Sequence, residues 1–532
     1  MTEASQREVG VETAVADALA RSLARAGTEV VFGVPGGGAN LDLVGALTRV
    51  GIRFVLTHME TPAAIMAATY ADLTGKPGAC VATRGPGAAS LANGVTQAYL
   101  DRSAIIAVTD AIAPATAMRV SRQRIDHQAL FAPITKWSTA ISVERAEETA
   151  VRAVEIACEG RPGPVHLDTV SGSADVAPYR EPSGAPLPDY EAAIALLSKS
   201  SNPVIIAGLG SVRVKHTLRA LASRSGCRVM TTYRAKGVFS ENSPSHGGLF
   251  TGGTIESSAL ADADLLVLVG VDPVELIGGP WSYPTNILSL MPWERDASYY
   301  APTVELVGEL ENLLSRIGEH VPVVGASDGQ RFRERARLSV HIDVEGIAPH
   351  ALTLIARELA PSNTCATVDS GAHMLVAMPD WTVDDVGEAL ISSGNATMGY
   401  ALPAAIAAAV VHPDRRVVCF TGDGGLGMTV SELETASRLR LPITVVVFND
   451  SALSLIEIKR QPVLHGPIDA VRYSATDFAA IATGFGVKGR RVSSESEFKS
   501  AFAASMEEDG PTLLDVEIDP SGYEGVLAAT RG

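Results

Sequence analysis

Between residues 29 and 168, short apolar runs alternate with stretches whose apolar residues recur every three or four positions. The runs, at 30–33, 53–56, 79–82 and 104–108, are dominated by valine, isoleucine, leucine, phenylalanine and alanine and predict buried parallel strands. The stretches 41–49, 62–73 and 88–99 have helical periodicity, so this segment predicts a doubly wound α/β domain. A second set of strand-like runs begins at 203–207 and includes 264–269. A third set lies at 364–368, 417–420, 443–448 and 512–517. The Pro/Gly/Ser-rich stretch 176–188 reads as a linker, and the polar stretch 325–337 reads as a second boundary. The pattern predicts an α/β protein of three doubly wound parallel-sheet domains, with limits near 1–175, 190–325 and 345–532. The first and third look like similar folds with dissimilar sequences.

The stretch 422–450 carries the most chemistry. One apolar run ends in Gly422-Asp423-Gly424 and the next in Asn449-Asp450, with a helix-patterned crossover at 431–439 between them. A crossover helix between parallel strands brings their carboxyl ends close together. Carboxylate and carbonyl oxygens at those ends suit a divalent cation, and glycine backbone N–H groups suit the phosphates it bridges. Taken singly, Gly-Asp-Gly also serves as a tight turn, and strand-end aspartates also cap helices.

Composition removes several classes. A chain of 532 residues with 46% hydrophobic content can bury several cores. A net charge of -17 argues against nucleic acid or an anionic membrane surface as partner. The five cysteines have no CxxC spacing and read as buried thiols in a reducing compartment rather than as zinc ligands or disulfides. The polar start MTEASQREVGVE is not a signal peptide, and no apolar stretch approaches the roughly 18 residues of a membrane span. A cytoplasmic protein is the expectation.

Gly33-Val34-Pro35-Gly36-Gly37, His58-Met59-Glu60, Arg84-Gly85-Pro86-Gly87 and the Gly-Asp-Gly…Asn-Asp pair occur in that order. With these motifs the chain resembles, over residues 10–520, the thiamine-diphosphate enzymes of the acetolactate synthase and 2-oxo acid decarboxylase family. The resemblance implies a pyrimidine-binding first domain, a central domain and a diphosphate-binding third domain. It implies thiamine diphosphate and Mg²⁺ as cofactors, a 2-oxo acid substrate, and a homodimer or homotetramer with active sites at the subunit interface.

The same resemblance assigns roles. Glu60 hydrogen-bonds the pyrimidine ring and moves its proton, work that suits a carboxyl group whose pKa a dry pocket has raised. Pro35 and Gly36 belong to the cofactor set on that side. Asp423 and Asp450 become Mg²⁺ ligands with the Ala452 carbonyl as a third oxygen; the family usually has asparagine where Asp450 stands, and aspartate is an equally hard ligand. Backbone N–H groups of Gly424, Gly425, Ala452 and Leu453 face the diphosphate, with Gly371, Ala372 and His373 closing the other side at a helix start. Met398 props the cofactor into its bent form. His373 and Met398 also suit ordinary packing.

On the substrate side, Gln123 and Lys136 match the separation of two catalytic residues of the resembling synthases, although Arg122 and Arg124 replace the expected aromatic and acidic neighbours. Arg84 is a candidate for a substrate carboxylate. Lys459 stands where acetolactate synthases carry tryptophan, and Thr83 where benzoylformate-type decarboxylases carry histidine. Glu457 either approaches the pocket or belongs to a solvated helix face. Gly208-Leu209-Gly210 hints at FAD but reads more readily as a tight turn. The implied reaction is decarboxylation of a 2-oxo acid with carboligation to a second carbonyl. The alternative is a non-ligating decarboxylase of benzoylformate or phosphonopyruvate type that releases an aldehyde. A nicotinamide- or flavin-dependent oxidoreductase would need GxGxxG opening a helix, which neither glycine cluster supplies.

Overall fold

Strands β3 (Gly78–Ala82), β10 (Leu265–Val269) and β16 (Ile443–Asn449) are buried at every residue, which is why their sequences are unbroken apolar runs rather than alternating ones. Each lies inside a six-stranded parallel sheet of a computed structural model that describes residues 3–37, 39–112, 120–170, 175–179, 188–277, 281–283, 285–295, 297, 299–325, 327–459 and 470–531.

The first sheet adds β1 (Val30–Val34), β2 (Arg53–Leu56), β4 (Ile105–Ala111), β5 (Trp137–Ile141) and β6 (Val165–Val170), in the order β2-β1-β3-β4-β6-β5. The second adds β7 (Pro203–Ala207), β8 (Arg228–Thr231), β9 (His246–Leu249), β11 (Asn286–Met291) and β12 (Val304–Val307), in the order β12-β11-β10-β7-β8-β9. The third adds β13 (Cys365–Val368), β14 (Ala389–Ile391), β15 (Val417–Gly422), β17 (Lys488–Val492) and β18 (Thr512–Glu517), in the order β14-β13-β15-β16-β18-β17. Strand for strand, the third sheet repeats the first. In each, the winding reverses beside the first strand, between β1 and β3 and between β13 and β15. The carboxyl ends at such a reversal are where open α/β sheets bind ligands.

The described residues fall into two compact units. One comprises residues 1–182 with 406–412 and 429–439 and holds the first sheet; the other comprises 183–405, 413–428 and 440–532 and holds the second and third. In the first unit, the helix Glu60–Thr74 is buried from Pro62 to Ala71 and lies close to the helix Pro86–Leu100. Gly94 permits that approach, since a Cβ there would lie 2.6 Å from Ala64 Cβ. Small apolar residues all round the first helix suit an element covered on every side.

Two elements have no apolar run to announce them. The polar stretch 325–337 is largely the helix Gly329–Ser339, in which Phe332 packs on the second sheet's core beneath the Arg228 guanidinium, 4.2 Å from the ring centroid. Arginine and glutamate are good helix formers, so a polar stretch of this kind is helical. The edge strand β17, Lys-Gly-Arg-Arg-Val, is mostly exposed and has no apolar run to announce it. Of the linker 176–188, residues 180–187 lie outside the described residues.

In the second unit, Lys236 is buried and donates from Nζ to Glu241 Oε1 (2.7 Å) and to the Met378 carbonyl (2.9 Å), while Glu241 Oε2 accepts the Val383 N–H. Lys236→Met is expected to cost about 3–5 kcal/mol in urea unfolding, because it leaves a buried carboxylate without its cation. A loss below about 1 kcal/mol would contradict that account.

Candidate active site

Glu60 is the first residue of its helix, where a negative charge is favoured by the helix dipole, and it is half-buried. The chain leading into it is clamped from the helix Glu432–Arg438. The buried Glu432 carboxylate accepts the N–H groups of His58 (2.9 Å) and Met59 (3.2 Å) and the Thr435 hydroxyl (2.7 Å), and burial pushes its pKa up. The His58 ring meets Glu434 at 2.7 Å, and Arg438 donates to the Leu56 carbonyl.

The turn after β3 closes on Glu60 from the other side. A Cβ on Gly87 would lie 3.3 Å from Glu60 Oε1 and 2.9 Å from Thr83 Cγ2. Gly36, following Pro35 at the end of β1, would put a Cβ 2.2 Å from Thr83 Oγ1, and its N–H donates to Asn40 Oδ1. Pro35, Gly36, Glu60 and Gly87 therefore share the reversal point of the first sheet. Gln123, in the left-handed region at φ 58°, lies against Gly85, and with Arg84, His127 and Asp168 it lines a cavity of about 150 Å³. Arg84 Nε is 3.8 Å from the nearly buried Asp110 carboxylate.

Lys136 is elsewhere. It precedes β5 and its N–H bonds the Pro164 carbonyl just before β6, so it sits at the amino edge of the parallel sheet. One strand length, roughly 16 Å at ~3.3 Å per residue, separates that edge from the Glu60 edge. Its Nζ donates to the Glu159 carbonyl (2.6 Å), and burial pushes the amine down to about 8. The helix His127–Phe131 and the turn Ala132–Ile134 carry the chain between the edges, so a matching separation from Gln123 did not mean a shared site.

In the second unit, Asp369 follows β13 and is fully buried. Its carboxylate accepts the N–H groups of Ser370 (2.9 Å), Gly399 (3.0 Å) and Tyr400 (3.2 Å) and the Thr421 hydroxyl (3.0 Å); burial pushes it up to about 6. A Cβ on Gly425 would come within 2.2 Å of it. One side chain thus fixes the Gly371–His373 turn, the loop carrying half-buried Met398, and the glycine turn after β15. His373, before the helix Met374–Asp380, stacks on Phe448 with centroids 5.3 Å apart. Its ring covers Gly371 and Gly422, where Cβ atoms would approach to 2.6 and 3.4 Å. Burial lowers its pKa to about 4, so the ring is neutral.

Asp423 and Asp450 are neighbours because Gly422 pairs with Phe448 in the parallel register of β15 and β16. Burial first, then the Asp450 charge, pushes Asp423 up to about 6, against N–H donors from Gly424, Ser451 and Ala452. Asp450 is raised by burial too, and Ser454 donates to it. Leu453 touches Gly424 through its side chain, but its N–H is committed to the Val471 carbonyl at 2.7 Å. Leu453 is therefore not the phosphate donor the sequence suggested. The short pairing of 451–453 with 471–473 takes that N–H. Ala452 itself takes neither of the pairing's two bonds, which run from Leu453 to Val471 and from Tyr473 to Ser451.

Three family models match the chain: thiamine pyrophosphate enzyme, N-terminal TPP binding domain, at residues 13–130; central domain, at 190–317; and C-terminal TPP binding domain, at 369–516. A probable acetolactate synthase large subunit of Methanocaldococcus jannaschii is 30% identical over 95% of this chain and 92% of its own. The chain belongs to the thiamine-diphosphate-dependent acetolactate synthase family. An acetolactate synthase of Bacillus subtilis is 29% identical, covering 98% and 96%, and a catabolic acetolactate synthase of Raoultella terrigena is 30% identical, covering 95% of each. At the level of this family, the protein is an enzyme that uses thiamine diphosphate for decarboxylation and carboligation. No helix among the described residues is long and apolar enough to cross a membrane.

The residues fit the family's cofactor. His373 Nε2 is buried without a hydrogen-bond partner among the described residues; because the ring's other nitrogen bonds the Asp369 backbone, Nε2 donates to a phosphate oxygen once a bound anion draws a second proton onto the ring. Two adjacent carboxylates, both raised by burial, are the donor set that a hard divalent cation relieves. FAD does not fit the Gly208-Leu209-Gly210 turn. The Leu209 N–H is taken by buried Glu275 (2.9 Å), which burial pushes up to about 8, and a Cβ on Gly208 would lie 2.4 Å from Val271 Cα. These glycines allow close packing. Glu457 pairs with Arg472 through two bonds of 3.0 Å, as a surface helix face does.

The sequence pattern assigns no role to Glu432 or Asp369, and it does not show that His127 pairs with Asp168. Asp369 had a usable signal, a strand-end aspartate before Ser-Gly in the third sheet, as at Asp423. For Glu432, nothing in the sequence pattern relates position 432 to 58.

Proposed function

We propose that this acetolactate synthase family member decarboxylates a 2-oxo acid and joins the retained carbon fragment to a second carbonyl, with Mg²⁺ anchoring the cofactor. The observation that carries this is the pair Asp423 and Asp450, a buried and a partly buried carboxylate side by side, together with a His373 nitrogen that has no partner among the described residues. In this reading Asp423, Asp450 and the Ala452 carbonyl hold Mg²⁺. His373 Nε2 and the backbone of Gly371, Ala372 and Gly425 take the diphosphate, the Gly424 N–H being held by Asp423, and Met398 props the bend. Glu60, with Pro35 and Gly36 beside it, binds the pyrimidine end and exchanges its proton. Gln123 and Arg84 face the substrate, Arg84 as the cation for its carboxylate. Lys136 has no part in this. Thiamine diphosphate, when bound, would supply the electron sink for the electron pair left behind as CO₂ departs. The working form is a homodimer or homotetramer.

Thiamine diphosphate with Mg²⁺ is expected to raise the melting temperature, since a ligand at 100 times its Kd stabilises the native state by about 2.7 kcal/mol. Pyruvate, 2-oxobutyrate, benzoylformate and sulfo-substituted 2-oxo acids, with products read by mass spectrometry, test the reaction. A product of two substrates less one CO₂ supports carboligation. An aldehyde alone overturns it in favour of simple decarboxylation.

A further inference from the structure

His127, His166 and Asp168 form a buried cluster against the first sheet, His166 and Asp168 on β6 and His127 at the start of the helix His127–Phe131, with ligand atoms all within 4.8 Å of one another. The donor set suggests a metal, but its protons are already placed. His127 Nε2 accepts the Gly85 N–H at 3.1 Å, so its proton sits on Nδ1 and is donated to Asp168 Oδ1 at 2.7 Å. The Thr109 hydroxyl donates to the same oxygen at 2.5 Å and accepts from His166 Nε2 at 2.8 Å. His166 Nδ1 accepts from Ser138 at 2.9 Å. A cation on His127 Nδ1 would drive that proton to Nε2, against the Gly85 N–H. The cluster is a hydrogen-bond network whose donors converge on Asp168 from both sides, and one of its ends is a backbone amide.

We propose that His127 is a positioning residue, oriented by Asp168, whose Nε2 fixes the Arg84–Gly87 turn on which Glu60 and Gln123 rest. Two side chains hold this turn: Asp110 accepts the Arg84 N–H at 2.8 Å, and His127 accepts that of Gly85. Gly85 has φ 67° and ψ -107°, a conformation open to glycine, and a Cβ there would strike the Gln123 backbone at 2.8 Å. Gly87, two residues on, abuts the Glu60 carboxyl. Without its acceptor, the Gly85 N–H would be buried and unsatisfied, and the turn would shift to find one. A misplacement of about 1 Å remote from the chemistry can cost about a hundredfold in rate. The catalytic part of this inference rests on the role proposed for Glu60.

Two conservative variants separate the halves of the imidazole. His127→Gln can place an amide oxygen where Nε2 accepts. His127→Asn can keep a donor to Asp168 but has no atom that reaches Gly85. In the apo protein, amide hydrogen exchange of the peptide spanning 83–88 is expected to speed up about tenfold or more in the asparagine variant and to stay near wild type in the glutamine variant. In the loaded enzyme, kcat is expected to fall about ten- to a hundredfold for asparagine, with the apparent Kd for thiamine diphosphate within twofold. If His127→Asn does not fold, Asp168→Asn reads the same effect, since it frees His127 to protonate Nε2. Wild-type exchange in the asparagine variant, or equal exchange in the two variants, would overturn the positioning role. Exchange is read without turnover, so a failure of the Glu60 assignment would show separately, as a Glu60→Gln enzyme that keeps its rate.

Discussion

Glu60→Gln is expected to lower kcat by about 10²–10⁴, the range that proton transfer by a positioned carboxyl group contributes. This corresponds to about 3–5 kcal/mol of transition-state stabilisation. Glutamine has the same shape and can hydrogen-bond a ring nitrogen, but it cannot give or take the proton. The fold has little to lose: a carboxylate at a helix start contributes about 0.3–1 kcal/mol, and the backbone before it stays clamped by Glu432. The melting shift with thiamine diphosphate and Mg²⁺ should persist while turnover collapses. Steady-state kinetics with matched thermal scans decide it, and a glutamine variant within twofold of wild type would remove Glu60 from the proposed chemistry.

The second large effect is predicted at Asp423, and it is confined to the loaded protein. Asp423→Asn is expected to abolish the thermal stabilisation by thiamine diphosphate and Mg²⁺, because loss of a direct ligand should exceed the 10–100-fold affinity loss typical of outer partners. The empty protein should change by no more than about 1 kcal/mol. There Asp423 faces Asp450 with no cation between them, and removing one charge relieves a repulsion that offsets the poorer acceptor for the Gly424, Ser451 and Ala452 N–H groups. Thermal scans with and without ligand measure both halves. A full ligand shift in the variant would show that the metal is held elsewhere.

Strands buried on both faces were legible because parallel packing demands unbroken apolar runs: 203–207 and 512–517 were read to the residue, and 443–448 within one. Exposed edges, as in β17, left no such pattern. The meeting of Asp423 with Asp450 was legible for the same reason, since adjacent parallel strands must end together. Lys136 was misread because separation along a chain does not say to which edge of a sheet a loop returns. The Leu453 N–H was misassigned because its partner, the Val471 carbonyl, belongs to a strand pairing of a few residues that has no periodicity.

By itself, then, the sequence determined the α/β class, the thiamine-diphosphate family and the strand ends that carry its motifs. These depend on local periodicity and on motifs a few residues long. The tertiary structure alone decided what holds those motifs in place: Glu432 on the turn before Glu60, Asp369 beneath three loops, His127 on Gly85, and Glu275 filling the central turn where a flavin phosphate would need its donor. Each is a buried side chain hydrogen-bonded to residues distant in sequence. Such contacts are set by how the loops meet in space, which no spacing along the chain encodes.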